Sequence, residues 1–218
     1  MVFTVLIVSD TSCSKQDAAT TDNDCIARSI PRYIETGLTD SQLDSINNLF
    51  GKNNLSTSQL QFYHFTSNIY SDPTKPPTSQ VCANLFLNDL PVFRLNEVFL
   101  FSNGVLDTSY LYTGTPLSND TTGHQSLTTL RKTFLSHVSE AITYSPVSKP
   151  FVPSSSAYLN VCLVATLGYI DVSYLPGNTK PWGTLIKVWS IKPSDNFYPS
   201  VYVKDEDGSA WGSPIVIP

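Results

Sequence analysis

Apolar and polar positions along the chain change period several times, and each change marks an element. Between residues 38 and 55 the apolar side chains return at Leu43, Ile46 and Phe50, one face of a helix. Thr39 and Gln42 supply the Thr-x-x-Gln capping box at its start, and Gly51 predicts its stop. Residues 58–67, SQLQFYHFTS, alternate as a strand does, with Phe62 and His64 on one side and Tyr63 and Phe65 on the other. A proline-broken loop, SDPTKPPTS, fills residues 71–79.

A dense hairpin pattern follows. Residues 81–87 form one predicted strand, Asn88-Asp89 a turn, and residues 92–101 a second strand carrying Phe93, Leu95, Phe99 and Phe101 on one face. Ser102-Asn103-Gly104 is a second turn, since Asn-Gly is among the strongest hairpin signals. Residues 105–112 make the third strand. After a polar loop, Leu127, Leu130, Phe134, Val138 and Ile142 recur at helical spacing behind Ser126, a good N-cap. A Pro/Ser-rich linker leads to further strands over residues 157–174, 183–193, 199–204 and 209–217, with turns at Pro176-Gly177-Asn178 and at the acidic run 205–208. The order helix, strands, helix, strands predicts an α+β fold: two helices packed on antiparallel β-meanders. The order is also open to reading as a duplicated helix-plus-meander unit, residues 25–116 and 117–218.

Composition adds a location. Charged residues are only 14% of the 218, and 18 acids against 13 bases give a net charge of -5 with no basic cluster. A nucleic-acid partner is therefore not expected, because phosphate binding needs a basic footprint. No apolar run is long enough to span a bilayer. Residues 2–8 are a short apolar segment of signal type. Together with TSCSK around Cys13 and the polar tail after it, this segment resembles a bacterial lipoprotein signal. That resemblance implies lipidation at Cys13, a flexible tether over residues 14–24, a domain over residues 25–218, and a place in the cell envelope, lipid-anchored to the outer membrane. An exported location permits a disulfide. Cys25 opens the folded part and Cys162 lies in a strand-like run, so a Cys25–Cys162 bridge would pin the N-terminus to the sheet. Pairing with Cys82, or three small buried thiols, are the other readings.

Residues 80–106 and 185–208 resemble the PepSY-like domains found as propeptides of thermolysin-like proteases. The shared features are LFLNDLPVFRLNEVFLFSNGVL and, later, an aliphatic run ending in Trp189 before a hairpin tipped by DEDG. The whole chain is also similar to lipoproteins of Gram-negative bacteria without a known activity. Such domains are not catalytic; the resemblance implies a binding or regulatory module for an envelope protein or peptide.

The remaining residues offer little chemistry. His64, His124 and His137 belong to no recognisable catalytic or zinc pattern, so no catalytic residue, cofactor or metal is expected. The acidic cluster Asp205, Glu206 and Asp207 reads as a solvated hairpin tip. Trp182, Trp189, Tyr202 and Trp211 crowd the last 40 residues or so; they are candidates for partner binding, against a core-packing alternative. Two other functions stay open: a structural surface or adhesin-type lipoprotein, and a hydrolase whose pocket joins His64 or His137 to an acid.

Overall fold

The computed structural model describes residues 25–29, 37–72, 74–145, 148–177, 182–196 and 198–216. Cys13, the signal-like segment and the tether lie outside them. A three-residue strand, β1 (Ile26–Arg28), is followed by α1 (Asp40–Lys52). The capping box forms: Thr39 Oγ1 accepts from Gln42 N at 3.3 Å and Gln42 Oε1 accepts from Thr39 N at 2.9 Å. Gly51 does not stop the helix; it sits in the last turn, and Asn53 closes it. The Asn53 amide donates to Leu49 O at 2.8 Å and to Gly104 O at 3.0 Å, and its oxygen accepts from Leu106 N at 2.9 Å. One side chain thus caps the helix and fastens it to a hairpin.

That hairpin belongs to an antiparallel meander of β2 (Leu60–Asn68), β3 (Thr78–Leu87), β4 (Leu90–Ser102) and β5 (Val105–Tyr110). Both turns have positive φ at their two central residues, 50° and 66° at Asn88 and Asp89, 51° and 74° at Asn103 and Gly104. This is the type I′ geometry whose twist suits antiparallel strands. Ile46 and Phe50 of α1 bury against Phe62, Val81, Ala83, Phe99 and Phe101. The Phe50 ring meets those of Phe62 and Phe99 edge-on at 4.9 and 4.7 Å.

The short β6 (Thr115–Pro116) leads to α2 (Leu127–His137), capped by Ser126. β7 (Thr143–Ser145) leads into the Pro/Ser stretch expected to be a linker, residues 145–157, which itself carries β8 (Ser148–Phe151). A second antiparallel meander follows: β9 (Leu163–Asp171), β10 (Thr184–Pro193), β11 (Val201–Lys204) and β12 (Ala210–Gly212). Leu130, Phe134 and Val138 cover Leu163, Ala165, Leu167, Trp189, Ile191, Val201 and Val203 on one of its faces. β13 (Ile215–Val216) joins β7 and β8 in a separate small sheet.

The two meanders are continuous. β9 takes β1 and the start of β4 on its free edge, both parallel, and β6 pairs parallel with β10. The result is one large mixed sheet, and among the described residues those in strands far outnumber those in the two short α-helices. The protein is predominantly β, and the α+β expectation of helices on purely antiparallel meanders is corrected. Strands of two to four residues are too short to show alternation, and parallel pairing is set by segments far apart in sequence.

The junction between meanders is a bulge in β4. Asn84 pairs with Asn96, but Phe86 pairs with Pro91, so residues 92–95 loop out between them. Val92 then bridges to Tyr169 of β9. Arg94 takes φ +63°, unusual for a long side chain. The bulge passes so close over Gly168 that a Cβ there would lie 2.5 Å from Pro91 O and 2.6 Å from the Phe93 ring. Gly168→Ala is therefore expected to lower stability by about 2–3 kcal/mol, the cost of forcing a packed contact apart. Denaturant unfolding measures it; an unchanged midpoint would show that the bulge is loosely seated.

Candidate functional site

The second meander builds a charged node at one end. Along β11, Val201 and Val203 point toward α2, and Asp205 continues the same alternation past the strand end. Its side chain is fully buried, 0% exposed. Oδ1 accepts from the Trp189 indole N–H at 2.7 Å and from the His124 backbone N–H at 2.8 Å. Oδ2 lies 2.7 Å from His124 Nδ1 and 3.2 Å from Lys187 Nζ. Lys187 also meets Asp120 Oδ2 at 3.0 Å and donates to Thr122 O at 2.6 Å. Together these bonds strap residues 117–125 across β10 and β11. Gly123 is required there, because a Cβ would fall 2.2 Å from the Trp189 ring.

The electrostatics follow from that geometry. Burial alone would raise the Asp205 carboxyl, but the His124 backbone N–H, the Trp189 indole, the His124 ring and Lys187 outweigh it and hold the pKa below the ordinary aspartate value. The Thr122 N–H and Lys187 bring Asp120 down to about 2. Lys187 is raised: burial opposes its charge, and Asp120 and Asp205 more than restore it. His124 Nε2 is turned outward, 3.5 Å from Asp120 Oδ2. A His–Asp pair of this form orients an imidazole, yet Lys187 already neutralises the same carboxylate, so the pair is better suited to fastening the strap than to activating a base.

A second buried acid sits nearby. Asp171, also 0% exposed, accepts from the Tyr112 hydroxyl and from the backbone N–H groups of Ser173 and Gly183, each of the latter at 2.8 Å. It fixes the turn that carries Trp182, whose ring packs edge-on against Tyr112 at 5.2 Å and Tyr174 at 6.0 Å.

Beside the strap runs a groove. One cavity of about 430 Å³ is floored by Val172, Ile186 and Trp211; a second of about 500 Å³ is bounded by Asp120, His124 and Lys187. Leu117, Ile186, Lys204 and Glu206 line both, which joins them into one channel with an apolar floor and a charged rim. Its size suits a small ligand or a few side chains of an extended segment.

The residues singled out from sequence fall in different places. Trp182 is 54% exposed, whereas Trp189 (2%), Tyr202 (6%) and Trp211 (7%) are buried, Trp211 reaching the groove floor. His64 is exposed on β2, opposite Cys82. His137 pairs with Glu140 at 2.8 Å at the end of α2. The histidine that meets a buried acid at the groove is His124, to which sequence reasoning gave no role. Asp205 is not part of a solvated tip, although Glu206 and Asp207 are exposed. The signal was present: extending the alternation of Val201 and Val203 by one step turns Asp205 inward. Cys25 and Cys162 are joined in a disulfide, Cα–Cα 4.6 Å, and Cys82 is free and buried. Among the described residues, no three His, Cys, Asp or Glu side chains are arranged to hold a metal ion, and no helix is long and apolar enough to cross a membrane. No family model, curated protein or solved structure matches the chain.

Proposed function

We propose that the protein is an exported, non-catalytic binding module, lipid-anchored to the outer membrane through Cys13, that holds an extended segment of an envelope protein. The observation that carries this reading is the groove. An apolar floor of Ile186, Val172 and Trp211 would take side chains, while Lys204, Glu206 and Asp120 at the rim would set their register. The Cys25–Cys162 bridge suits an oxidising compartment. The PepSY-like resemblance of residues 80–106 and 185–208 suits a regulatory role toward the partner.

Two experiments test the two parts. Metabolic labelling with a palmitate analogue is expected to mark the wild type and not Cys13→Ala; equal labelling of both removes the anchor. For the groove, a photo-crosslinking amino acid is placed at Leu117, on the groove lip, and at Asp44, exposed on α1. A defined adduct from position 117, absent from position 44 and lost on adding Ile186→Arg, is the expected outcome. The same adducts from both positions would sink the groove as the binding place.

A further inference from the structure

A second cleft lies where the β4 bulge joins the two meanders, and its lining differs in kind from the groove. Strand register builds it from two polar rows. On the first meander Gln61 pairs with Asn84, and Asn84 with Asn96, which sets three amides side by side across β2, β3 and β4. On the second, Thr166 pairs with Ser190, and Ser190 with Tyr202, which sets three hydroxyls across β9, β10 and β11. All six residues line one cleft of about 310 Å³, within the range of small-molecule sites. Core-forming strands do not need amides and hydroxyls in register at adjacent positions, since such rows forgo apolar burial on that face.

Two cations complete the lining, Arg94 and Lys192, and among the described residues that form the cleft there is no carboxylate. This occurs in a chain of net charge -5, so the cleft is locally opposite in sign to the molecule and would draw anions toward it. Arg94 is held by its strained backbone, φ +63°, and by stacking over the Tyr174 ring at 5.1 Å; its guanidinium also reaches Ser213 Oγ at 3.4 Å. Strain kept at one residue of a bulge is a common mark of a side chain placed for use. Burial pulls Lys192 below the ordinary lysine value. Phe93 and Tyr202, ring centroids 5.8 Å apart, supply an apolar wall.

We infer that this cleft binds an acidic saccharide: a ring whose hydroxyls meet the amide and hydroxyl rows and whose carboxylate lies between Arg94 and Lys192. Amides both donate and accept, as hydroxyls do, so two such rows match a polyol better than they match a peptide strand or a bare anion. The cations add charge-assisted bonds to the carboxylate. The cleft uses different residues from the groove and does not depend on it.

The test is calorimetric titration of the folded protein with digalacturonic acid, with lactose as the neutral disaccharide and inorganic phosphate as the bare anion. Saturable binding of the acid sugar is expected, weakened about tenfold or more by Lys192→Gln, which removes a charge-assisted bond, and about threefold or more by Asn84→Ala, which removes a neutral one. Lactose should bind at least about tenfold more weakly, and Lys204→Gln in the groove should change nothing. Asn96→Ala, at an exposed position, guards against variants that fail to fold and should also weaken binding. No saturable binding of digalacturonate overturns the inference. So does phosphate competing as well as the acid sugar, which would make the cleft a simple anion site.

Discussion

Asp205→Ala should cost about 3–5 kcal/mol of stability, the usual penalty for removing one partner of a buried charged network, and a fall in Tm of roughly 6–20 °C for a chain of this length. The loss has four parts, all at one carboxylate. The Trp189 indole and the His124 N–H lose their acceptor inside the protein, Lys187 loses a counter-charge, and His124 Nδ1 loses its hydrogen-bond partner. Asp205→Asn is expected to lose less, because its amide oxygen still accepts from Trp189 and His124. The pH dependence has a definite sign. The folded-state pKa of Asp205 is depressed, so the stability it confers is present above the unfolded value near 4 and disappears as pH falls through the lower folded value. The gap between wild type and Asp205→Asn should therefore be constant at neutral pH and shrink in acid. Chemical denaturation at several pH values measures both. A loss below about 1 kcal/mol for the alanine variant would mean that the strap over residues 117–125 is held elsewhere, and the groove wall with it.

The elements legible in the sequence are those whose signal is local. The Thr39–Gln42 box, the Ser126 cap and the two turns at Asn88 and Asn103 each depend on residues within four positions of one another, and each forms. The period-two patterns of β3, β4 and β10 are long enough to read. What escaped depends on distance. β1 and β6 have three and two residues, and their partners lie more than sixty residues away, so no pattern within them announces a parallel pairing. The β4 bulge has no local signal, because Pro91–Leu95 alternates well enough to pass for plain strand; only the pairing of Asn84 with Asn96 and of Phe86 with Pro91 exposes the three extra residues. The helices were overweighted for a related reason. Their periodicity is the clearest in the chain, while the short strands β1 and β6, and the start of β4, that make the sheet continuous and mixed carry no pattern of their own for that pairing.

The site was less legible than the fold. Asp120, His124, Lys187 and Asp205 come from a loop, a strand and a hairpin spread over 86 positions, and His124 sits among polar residues where nothing marks it. The same holds for the cleft. Gln61, Asn84 and Asn96 look like ordinary surface amides until the register of β2, β3 and β4 puts them in one row. Rows of this kind are a property of pairing, not of any one strand.

Removing the Cys25–Cys162 bridge is expected to have an effect as large as that at Asp205, through the unfolded state. The cross-link spans 137 positions, and closing a loop of that order restricts the unfolded chain by about 4–5 kcal/mol in the chain-entropy account. The folded state has other bonds at the same place. Leu163 N donates to Cys25 O at 2.7 Å, β1 pairs along the first residues of β9, and Arg131 of α2 bridges the two sides, reaching Cys25 O at 3.4 Å as well as Val161 O at 3.0 Å and Leu159 O at 2.6 Å. These hold β1 against β9 without the sulfurs, so the double variant Cys25→Ser/Cys162→Ser should still fold. Its midpoint in denaturant should drop, and its m-value should rise, because an uncrossed unfolded chain exposes more surface. Wild type in strong reductant should behave like the variant. The free thiol of Cys82 is buried and should contribute to neither result. If reductant leaves the wild-type midpoint and slope unchanged while the double variant also matches it, the bridge does no stabilising work, and the backbone pairing of β1, Arg131 and the packing of Ile26 hold it in place.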